Sequence, residues 1–283
     1  MALVVNTNIA SLQAQNNLSN SNAALNLSLQ RLSSGLRVNS AKDDAAGMAI
    51  SQTLTSAIRG NNQAIRNAND GISVGQTAEG ALGQIANNLQ RIREIAVQSS
   101  NGSVSDINRS QLQKEVDQLT QEISRITQTT QFNGTLLLSG GSTLTFQVGS
   151  SGSTDNTVSV SASDLTSGTN ALKSYASALS ATGTINVLSQ TGAQAQLSAI
   201  DGDIGAISNI RSTFGAVQNR FDAVVANLQN YVTNLTAANS RIVDVDFASE
   251  TANLTKNQIL QQAGTSILKQ SNSLTQSALT LLQ

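Results

Sequence analysis

The residues best able to do chemistry in this chain are two pairs of neighbouring carboxylates. Asp43 precedes Asp44 directly, and Asp201 is separated from Asp203 by one glycine. Paired carboxylates can bind a divalent cation, but a calcium loop needs further oxygen ligands at set positions and a distal glutamate. Neither pair has those further ligands. We therefore expect both pairs to cap helices or to lie in surface turns, without a bound metal.

The side chains most used in catalysis are absent. The chain contains no histidine and no cysteine, which removes the commonest general base and the thiolate nucleophile. It also has no phosphate-binding loop, no GxSxG turn and no HExxH zinc motif. Aromatic residues make up 2% of the chain, so a bounded substrate pocket is difficult to build. The sequence argues against an enzyme, and we expect no cofactor.

Composition also narrows the class of partner. The net charge is −1 and no basic stripe is visible, so we do not expect nucleic acid binding. No apolar run approaches the roughly 20 residues that span a bilayer, and the short apolar start lacks the basic region of a cleaved signal peptide. With no proline and few aromatics, aliphatic side chains must do the packing, which suits thin helical bundles.

Both chain ends carry an apolar repeat of seven residues, which is typical of helices that pack along each other. Its members are Leu18, Leu25, Leu29, Leu32 and Leu36 near the start, and Leu260, Ile267, Leu274 and Leu281 near the end. We expect the two ends to pair, because only then do these stripes cover each other. Ordering roughly 75 terminal residues costs about 1.5 kcal/mol of conformational entropy each. Burial of the few apolar side chains in the two stripes does not offset this cost. We therefore expect the ends to be loose in a monomer and to order when copies share their stripes.

Longer helical patterns lie between the ends. Apolar residues recur every three or four positions over 82–96, 112–126 and 197–235, with a polar break at 99–103. The residues singled out for packing are Leu89, Ile92, Leu119, Ile123, Phe214, Gly215, Phe221 and Leu228. Gly215 interrupts a row of larger side chains, either as a small residue facing solvent or as a close helix or subunit contact.

Two regions of the chain lack these helical rows, namely the break near residue 40 and the middle of the chain. Ser40 and Asp43 have the spacing of a helix-starting cap. Residues 144–148 and 158–160 alternate apolar and polar side chains, which predicts two short strands. The stretch 171–190 is ambiguous. We predict a mainly α fold, an antiparallel or parallel coiled-coil bundle built from both chain ends, with a small β-hairpin insert.

Several longer segments are specific when taken together. They are Asn6–Gln15, Leu29–Arg37, Asn39–Gly47, Asn67–Ser73, Gln76–Leu82, Arg91–Gln98, Gly215–Arg220, Ser240–Asp246, Gln258–Gly264 and Leu279–Leu282. With these segments the chain resembles bacterial flagellin, over roughly residues 1–140 and 190–283, in a short form without large outer domains.

The resemblance implies a division into three parts. Residues 1–43 with 244–283 would form a terminal coiled-coil core domain. Residues 44–140 with 190–243 would form a helical rod domain, and 141–189 would hold its β-hairpin and a short variable connector. The outer region of longer relatives is nearly absent, because this stretch has room for little else.

The resemblance also implies the function. The chain would be a structural subunit that polymerises into the extracellular flagellar filament for swimming, after unfolded export through the flagellar type III apparatus without a cleaved signal. Its partners would be copies of itself, the export apparatus, the filament cap and the junction proteins. A cytoplasmic chaperone would cover about 244–283 before export.

Host recognition is a further implication of the resemblance. The Toll-like receptor that senses flagellin would read a helix patch that maps onto Arg91, Ile95, Gln98 and Glu115. Two alternatives belong to other classes, a hook–filament junction protein and a secreted coiled-coil factor that acts on host cells. The run of motifs argues against the first, and the lack of an apolar segment or receptor-binding head argues against the second.

Overall fold

A computed structural model of the chain describes residues 8–167 and 171–280, with side chains described up to residue 273. The predicted mainly helical fold is confirmed. The helices are α1 (Ile9–Ser34), α2 (Ala45–Ser99), α3 (Asp106–Thr129), α4 (Gln190–Val243) and α5 (Phe247–Thr280). The strands are β1 (Gln131–Phe132), β2 (Thr135–Leu136), β3 (Leu144–Gln147) and β4 (Thr157–Val160), with one 3₁₀ turn at Thr154–Asn156.

The first break between helices is built differently from the prediction. The Asp43 carboxylate accepts hydrogen bonds from the backbone N–H of Asn39 and of Ser40, and so closes a turn before the helix. The cap of α2 is Asp44, whose side chain accepts from the N–H of Gly47 at 2.8 Å. The predicted cap of Ser40 and Asp43 is therefore wrong by a few residues, because two adjacent aspartates divide the turn and the cap between them.

The second break was predicted correctly at 99–103. Helix α2 ends at Ser99 and α3 begins at Asp106, after the N-cap Ser105. Arg109, which is 7% exposed, donates to the carbonyl oxygens of Ser99 and Asn101 at 3.0 and 2.9 Å. These bonds satisfy carbonyl groups at and just beyond the helix end that lack an intrahelical partner.

Two antiparallel hairpins follow α3. The predicted strands are confirmed, since β3 pairs with β4 and Leu144 lies opposite Val160. The pair β1 and β2 was not predicted. Its turn is Asn133–Gly134, with φ of 47° and 79°, and an Asn-Gly pair is the preferred sequence for a two-residue hairpin whose central residues both have positive φ.

The chain divides into two compact units, which we call the terminal unit (residues 1–58 and 233–283) and the central unit (residues 59–232). The predicted domain boundaries fall instead at the breaks between α1 and α2 and between α4 and α5. The assignment of three domains stays a prediction.

The central unit holds one hydrophobic core. In it α2 and α4 run antiparallel, with ion pairs from Arg93 to Asp201 at 2.6 Å and from Arg211 to Glu79 at 2.8 Å. Fully buried side chains from α2, α3 and α4 meet the apolar residues of the second hairpin. The ring of Phe221 packs edge-on against Phe146 at 5.6 Å between centroids.

The segment 171–189, which the sequence left ambiguous, contains no regular helix or strand but is well packed. Ile185 and Val187 are fully buried. Gln113 of α3 donates to the carbonyl of Ile185 at 2.8 Å and accepts from the N–H of Val187 at 2.7 Å. Asp203 of α4 accepts from the backbone N–H groups of residues 173 and 174. Side chains of two helices therefore satisfy the backbone of this segment.

Among the described residues, no helix is both long enough and apolar enough to cross a bilayer.

Candidate self-assembly surface on the terminal helices

Helices α1 and α5 pair within the terminal unit, as the sequence predicted, and they run antiparallel, an orientation that the sequence left open. Hydrogen bonds join Asn22 to Gln261 at 2.9 Å and Asn8 to the carbonyl of Ser271 at 3.1 Å. Between them Leu18 packs on the bare backbone of Gly264, where an added Cβ would lie 3.3 Å from Leu18 Cδ1. We call this line of contact the inner seam.

The inner seam is built from small and polar side chains. Those buried in the terminal helices are Ser11, Ala14, Ser28, Glu250 and Ser271. Leu18, Leu25 and Leu32 also face the seam but are only half buried. Such a seam removes little apolar surface from water, so it gives the pair a weak hydrophobic driving force.

The other predicted stripe residues take different positions. Leu29, Leu260 and Ile267 are exposed by 48%, 45% and 59%, so the two stripes do not cover each other as the sequence led us to expect. Leu36 is half buried and forms an isolated β-bridge with Asp244. The side chain of Leu274 and the whole of Leu281 lie outside the described residues.

Exposed aliphatic and aromatic side chains are concentrated on the terminal unit. Of the fifteen large apolar side chains exposed in the described part of the chain, nine lie there. They are Ile9, Leu12, Leu27, Leu29, Ile50, Phe247, Ile259, Leu260 and Ile267. In contrast, Ala14 and Val38 are the only buried apolar residues described in this unit. The described part of the terminal unit thus has almost no core of its own and many exposed apolar side chains, which is a feature typical of interaction surfaces.

The predicted packing residues lie in the central unit and are mostly buried. Leu89, Ile92, Ile123 and Phe221 are fully buried, Phe214 and Leu228 are 4% and 9% exposed, and Leu119 is half buried. Gly215 differs, because a Cβ added there would have no atom within 4 Å among the described residues outside its own stretch of helix. No close helix contact inside the described chain explains this glycine, and its role between subunits stays a prediction.

The predicted receptor patch is brought together only in part. Arg91 donates to Glu115 and Glu94 at 2.9 Å each, and the hydrogen bond to Glu115 is the main cause of the raised pKa of Arg91. Gln98 is exposed on the same helix. Ile95 is fully buried, so it supports the patch from below and offers no apolar surface contact, contrary to the expectation for that residue.

One of the two carboxylate pairs lies in a turn and cap as expected, but the expectation is wrong for Asp201 and Asp203, which lie inside α4. Asp201 accepts from Arg93, and Asp203 is 3% exposed and bound to the backbone of the 171–189 segment. Asp43 and Asp44 close the turn and cap before α2. The described residues contain no cluster of three acidic side chains that could hold a metal ion. The hydrogen bonds and the ion pair of these four carboxylates hold parts of the fold together.

Sequence reasoning missed the alternative apolar row on α5. Leu254 and Leu268, which are half buried, face the inner seam in place of Leu260 and Ile267. These two leucines are fourteen residues apart, a spacing that places them on one face of a helix and was visible in the sequence. Periodicity alone does not say which of two apolar rows faces the partner helix.

A helical pair with a polar seam and an apolar outer surface, in a chain that also has a well-packed central unit, is typical of a structural protein that self-assembles. The family models for the bacterial flagellin N-terminal and C-terminal helical regions match residues 5–143 and 197–282. The chain belongs to the bacterial flagellin family and is a subunit of the extracellular flagellar filament, a structural and non-enzymatic component of motility.

Relatives match along the whole chain. A flagellin of Xenorhabdus nematophila is 44% identical over 316 aligned residues, which cover 100% of both chains. A flagellin of Bacillus subtilis is 40% identical over 304 residues, which cover 99% of both. A solved structure of a flagellar hook-associated protein from Vibrio parahaemolyticus has a TM-score of 0.57 over 71% of this chain and 100% of that one. Its 17% identity shows a shared fold alone, so it does not support the junction-protein alternative.

Proposed function

We propose that copies of this chain bind each other in the filament mainly through the apolar outer surface of α1 and α5. The observation that carries this proposal is the contrast within the terminal unit, where eight large apolar side chains of α1 and α5 are exposed and the inner seam is small and polar. A second copy is the partner of matching chemistry, because self-assembly follows from membership of the flagellin family.

The expected free energy fits a strong polymer contact. Full burial of a leucine or isoleucine side chain contributes about 1.5–3 kcal/mol, and the outer side chains are roughly half exposed. Each one covered by a neighbour would then add on the order of 1 kcal/mol. The eight on α1 and α5 together exceed what the inner seam contributes.

The same contrast supports ordering of the terminal helices on incorporation. A pair of helices with few buried apolar side chains does not offset the conformational entropy of ordering it, and neighbouring copies supply the missing burial. A chain that is loose at both ends is also suited to unfolded passage through the type III export apparatus. A chaperone that binds about 244–283 would cover the exposed Leu260 and Ile267 before export, and the cap and junction proteins would meet the same surface at the filament ends.

The proposal is tested by replacing apolar side chains of similar exposure in the two units. Leu260→Ser with Ile267→Ser removes two outer side chains of the terminal unit. Leu179→Ser with Leu188→Ser is the matched control in the central unit, where these leucines are 45% and 47% exposed. Elongation from sheared filament seeds, followed by light scattering and electron microscopy, gives the critical concentration.

We expect the terminal pair to raise the critical concentration by ten- to a hundred-fold, since two half-exposed side chains represent roughly 1.5–3 kcal/mol and each 1.4 kcal/mol is a factor of ten. The control pair should change it less than three-fold. Equal effects of the two pairs would refute the assignment of the contact to α1 and α5.

We also propose that the exposed patch of Arg91, Gln98 and Glu115 is read by the host Toll-like receptor. Arg91 and Glu115 present a charged pair on the surface of the central unit. Arg91→Ala should lower the response of a receptor reporter cell line by ten-fold or more. Arg211→Ala removes another half-exposed arginine with an ion pair and should leave the response unchanged. A full response to the Arg91 variant would exclude this role.

A further inference from the structure

Helix α5 carries two apolar rows of similar size. Leu254 and Leu268 are half buried in the inner seam, whereas Leu260 and Ile267 are exposed. Each row offers two large aliphatic side chains within the described residues. The hydrophobic effect scales with the apolar area buried, so it does not by itself decide which row faces α1.

The two rows are separated by a modest rotation. At about 100° per residue, the row of Leu260 and Ile267 lies roughly 80° round the helix from the centre of the inner seam. On that side a groove of about 250 Å³ is open between the helices, and Ala10, Ala14, Gly264 and Ile267 are among its lining residues. A rotation of α5 toward this groove would bury Ile267 against α1 and remove it from the outer surface.

Polar contacts across the inner seam oppose that rotation. Gln261 lies on the same side of α5 as Leu254 and Leu268, and its amide donates to Asn22 at 2.9 Å. The Asn8 amide donates to the Ser271 carbonyl at 3.1 Å. Polar side chains at seam positions of paired helices are known to fix register and partner choice at some loss of stability.

We propose that the hydrogen bond between Asn22 and Gln261 selects the rotation of α5 against α1, and so keeps the row of Leu260 and Ile267 available to the next copy. This inference rests on the proposed function of that row. It explains why the seam is polar in a helix that has enough leucine and isoleucine to build an apolar one. A monomer with the other rotation would bury its own assembly surface.

Two engineered cysteine pairs report the rotation, because the natural chain has no cysteine. In Leu18→Cys with Gly264→Cys, an ideal Cβ at position 264 lies 3.8 Å from the Cβ of Leu18, which matches the mean disulfide separation of about 3.8 Å. Ala14→Cys with Ile267→Cys joins two residues that line the groove and reports the alternative rotation. The ratio of the two disulfide yields is measured on dilute monomer under mild oxidation, with an osmolyte that favours the paired state.

We expect Asn22→Ala with Gln261→Ala to lower the ratio of the first disulfide to the second by about five-fold, as the loss of one hydrogen bond implies. Gln262→Ala changes an exposed neighbour and should leave the ratio unchanged. Asn22→Lys with Gln261→Glu replaces the contact by an ion pair and should restore the ratio. An unchanged ratio with helix content retained would overturn the inference, and so would loss of both disulfides together with the helical signal.

The failure of this inference is distinguishable from failure of the proposed function. The disulfide ratio is measured without polymerisation, so it can shift as expected even if Leu260→Ser with Ile267→Ser leaves seeded elongation intact. In that case the rotation would be selected as we infer, and the row would have another purpose than assembly.

Discussion

Alanine at Gly71 is expected to destabilise the central unit, because this glycine is where α2 approaches the buried ring of Phe221. A Cβ at position 71 would lie 2.5, 2.8 and 2.9 Å from three ring carbons. Ordinary carbon–carbon contacts are about 3.5–4.0 Å, so the ring must move by about 1 Å. Phe221 is fully buried and packs edge-on against Phe146, which leaves the ring no open side.

The magnitude follows from two opposing contributions. Replacing a glycine inside a helix by alanine stabilises the helix by roughly 0.5–1 kcal/mol. Overpacking a core commonly costs about 1–3 kcal/mol. We therefore expect Gly71→Ala to lower the free energy of unfolding by on the order of 1–2 kcal/mol. Gly215→Ala is the matched control, since the space around its added Cβ is open among the described residues, and it should raise stability by about 0.5–1 kcal/mol.

The assay is urea unfolding of the monomer followed by circular dichroism, with midpoints compared at equal slope. A double variant of Gly71→Ala with Phe221→Leu isolates the contact, because the smaller side chain leaves room for the methyl group. Its destabilisation should be less than the sum of the two single variants. If Gly71→Ala is as stable as Gly215→Ala, the close approach at position 71 does not exist and the packing described for α2 and α4 is wrong.

Two further perturbations test other parts of the central unit. Bonds from the side chains and backbone of Ser167 and Thr166 lower the pKa of Asp164 to about 2. Because the pKa of Asp164 is lower in the folded than in the unfolded chain, its ionised form stabilises the protein above about pH 4, and this contribution is lost as the pH falls toward 2. Asp164→Asn should therefore make the decline of the urea midpoint between about pH 4 and pH 2 less steep. Arg109→Lys keeps the charge but loses the contact with two carbonyl groups at the end of α2, and it should lower the free energy of unfolding by roughly 1–3 kcal/mol in the same urea titration. An unchanged pH dependence in Asp164→Asn would contradict the first prediction, and an unchanged midpoint in Arg109→Lys would contradict the second.

The helices were predictable because their apolar residues recur with a period that only a helix places on one face. The rows over 82–96, 112–126 and 197–235 all lie within α2, α3 and α4. The polar break at 99–103 was also predictable from residue types. The hairpin at Asn133–Gly134 was missed although its turn carries a strong signal.

Two features depended on contacts that are distant in sequence. The 171–189 segment has no periodicity, and its conformation is set by hydrogen bonds from Gln113 and Asp203 on two helices. Ile95 belongs to the predicted receptor patch but is fully buried, because α2 contacts both α3 and α4 and its buried face is wider than one apolar row. A single helix pattern does not reveal how many neighbours the helix has.

The rotation of α5 was the feature of the assembly surface that the sequence did not predict. In the sequence the row of Leu260 and Ile267 continues every seven residues, whereas Gln261 interrupts the row of Leu254 and Leu268, so periodicity favoured the row that the structure turns outward. The choice is explained by polar contacts such as Asn22 to Gln261, which join residues at opposite ends of the chain. The consequence is functional, because the row turned outward is the one available to other copies.

The most direct test of this account is the accessibility of position 267 in monomer and filament. Ile267→Cys introduces the sole cysteine of the chain at a side chain that is 59% exposed, and its rate of reaction with a maleimide is measured before and after polymerisation. We predict rapid labelling of the monomer and at least ten-fold slower labelling of the filament, because a neighbouring copy covers the outer row. Equal rates in the two states would contradict the claim that copies assemble through the apolar outer surface of the terminal helices.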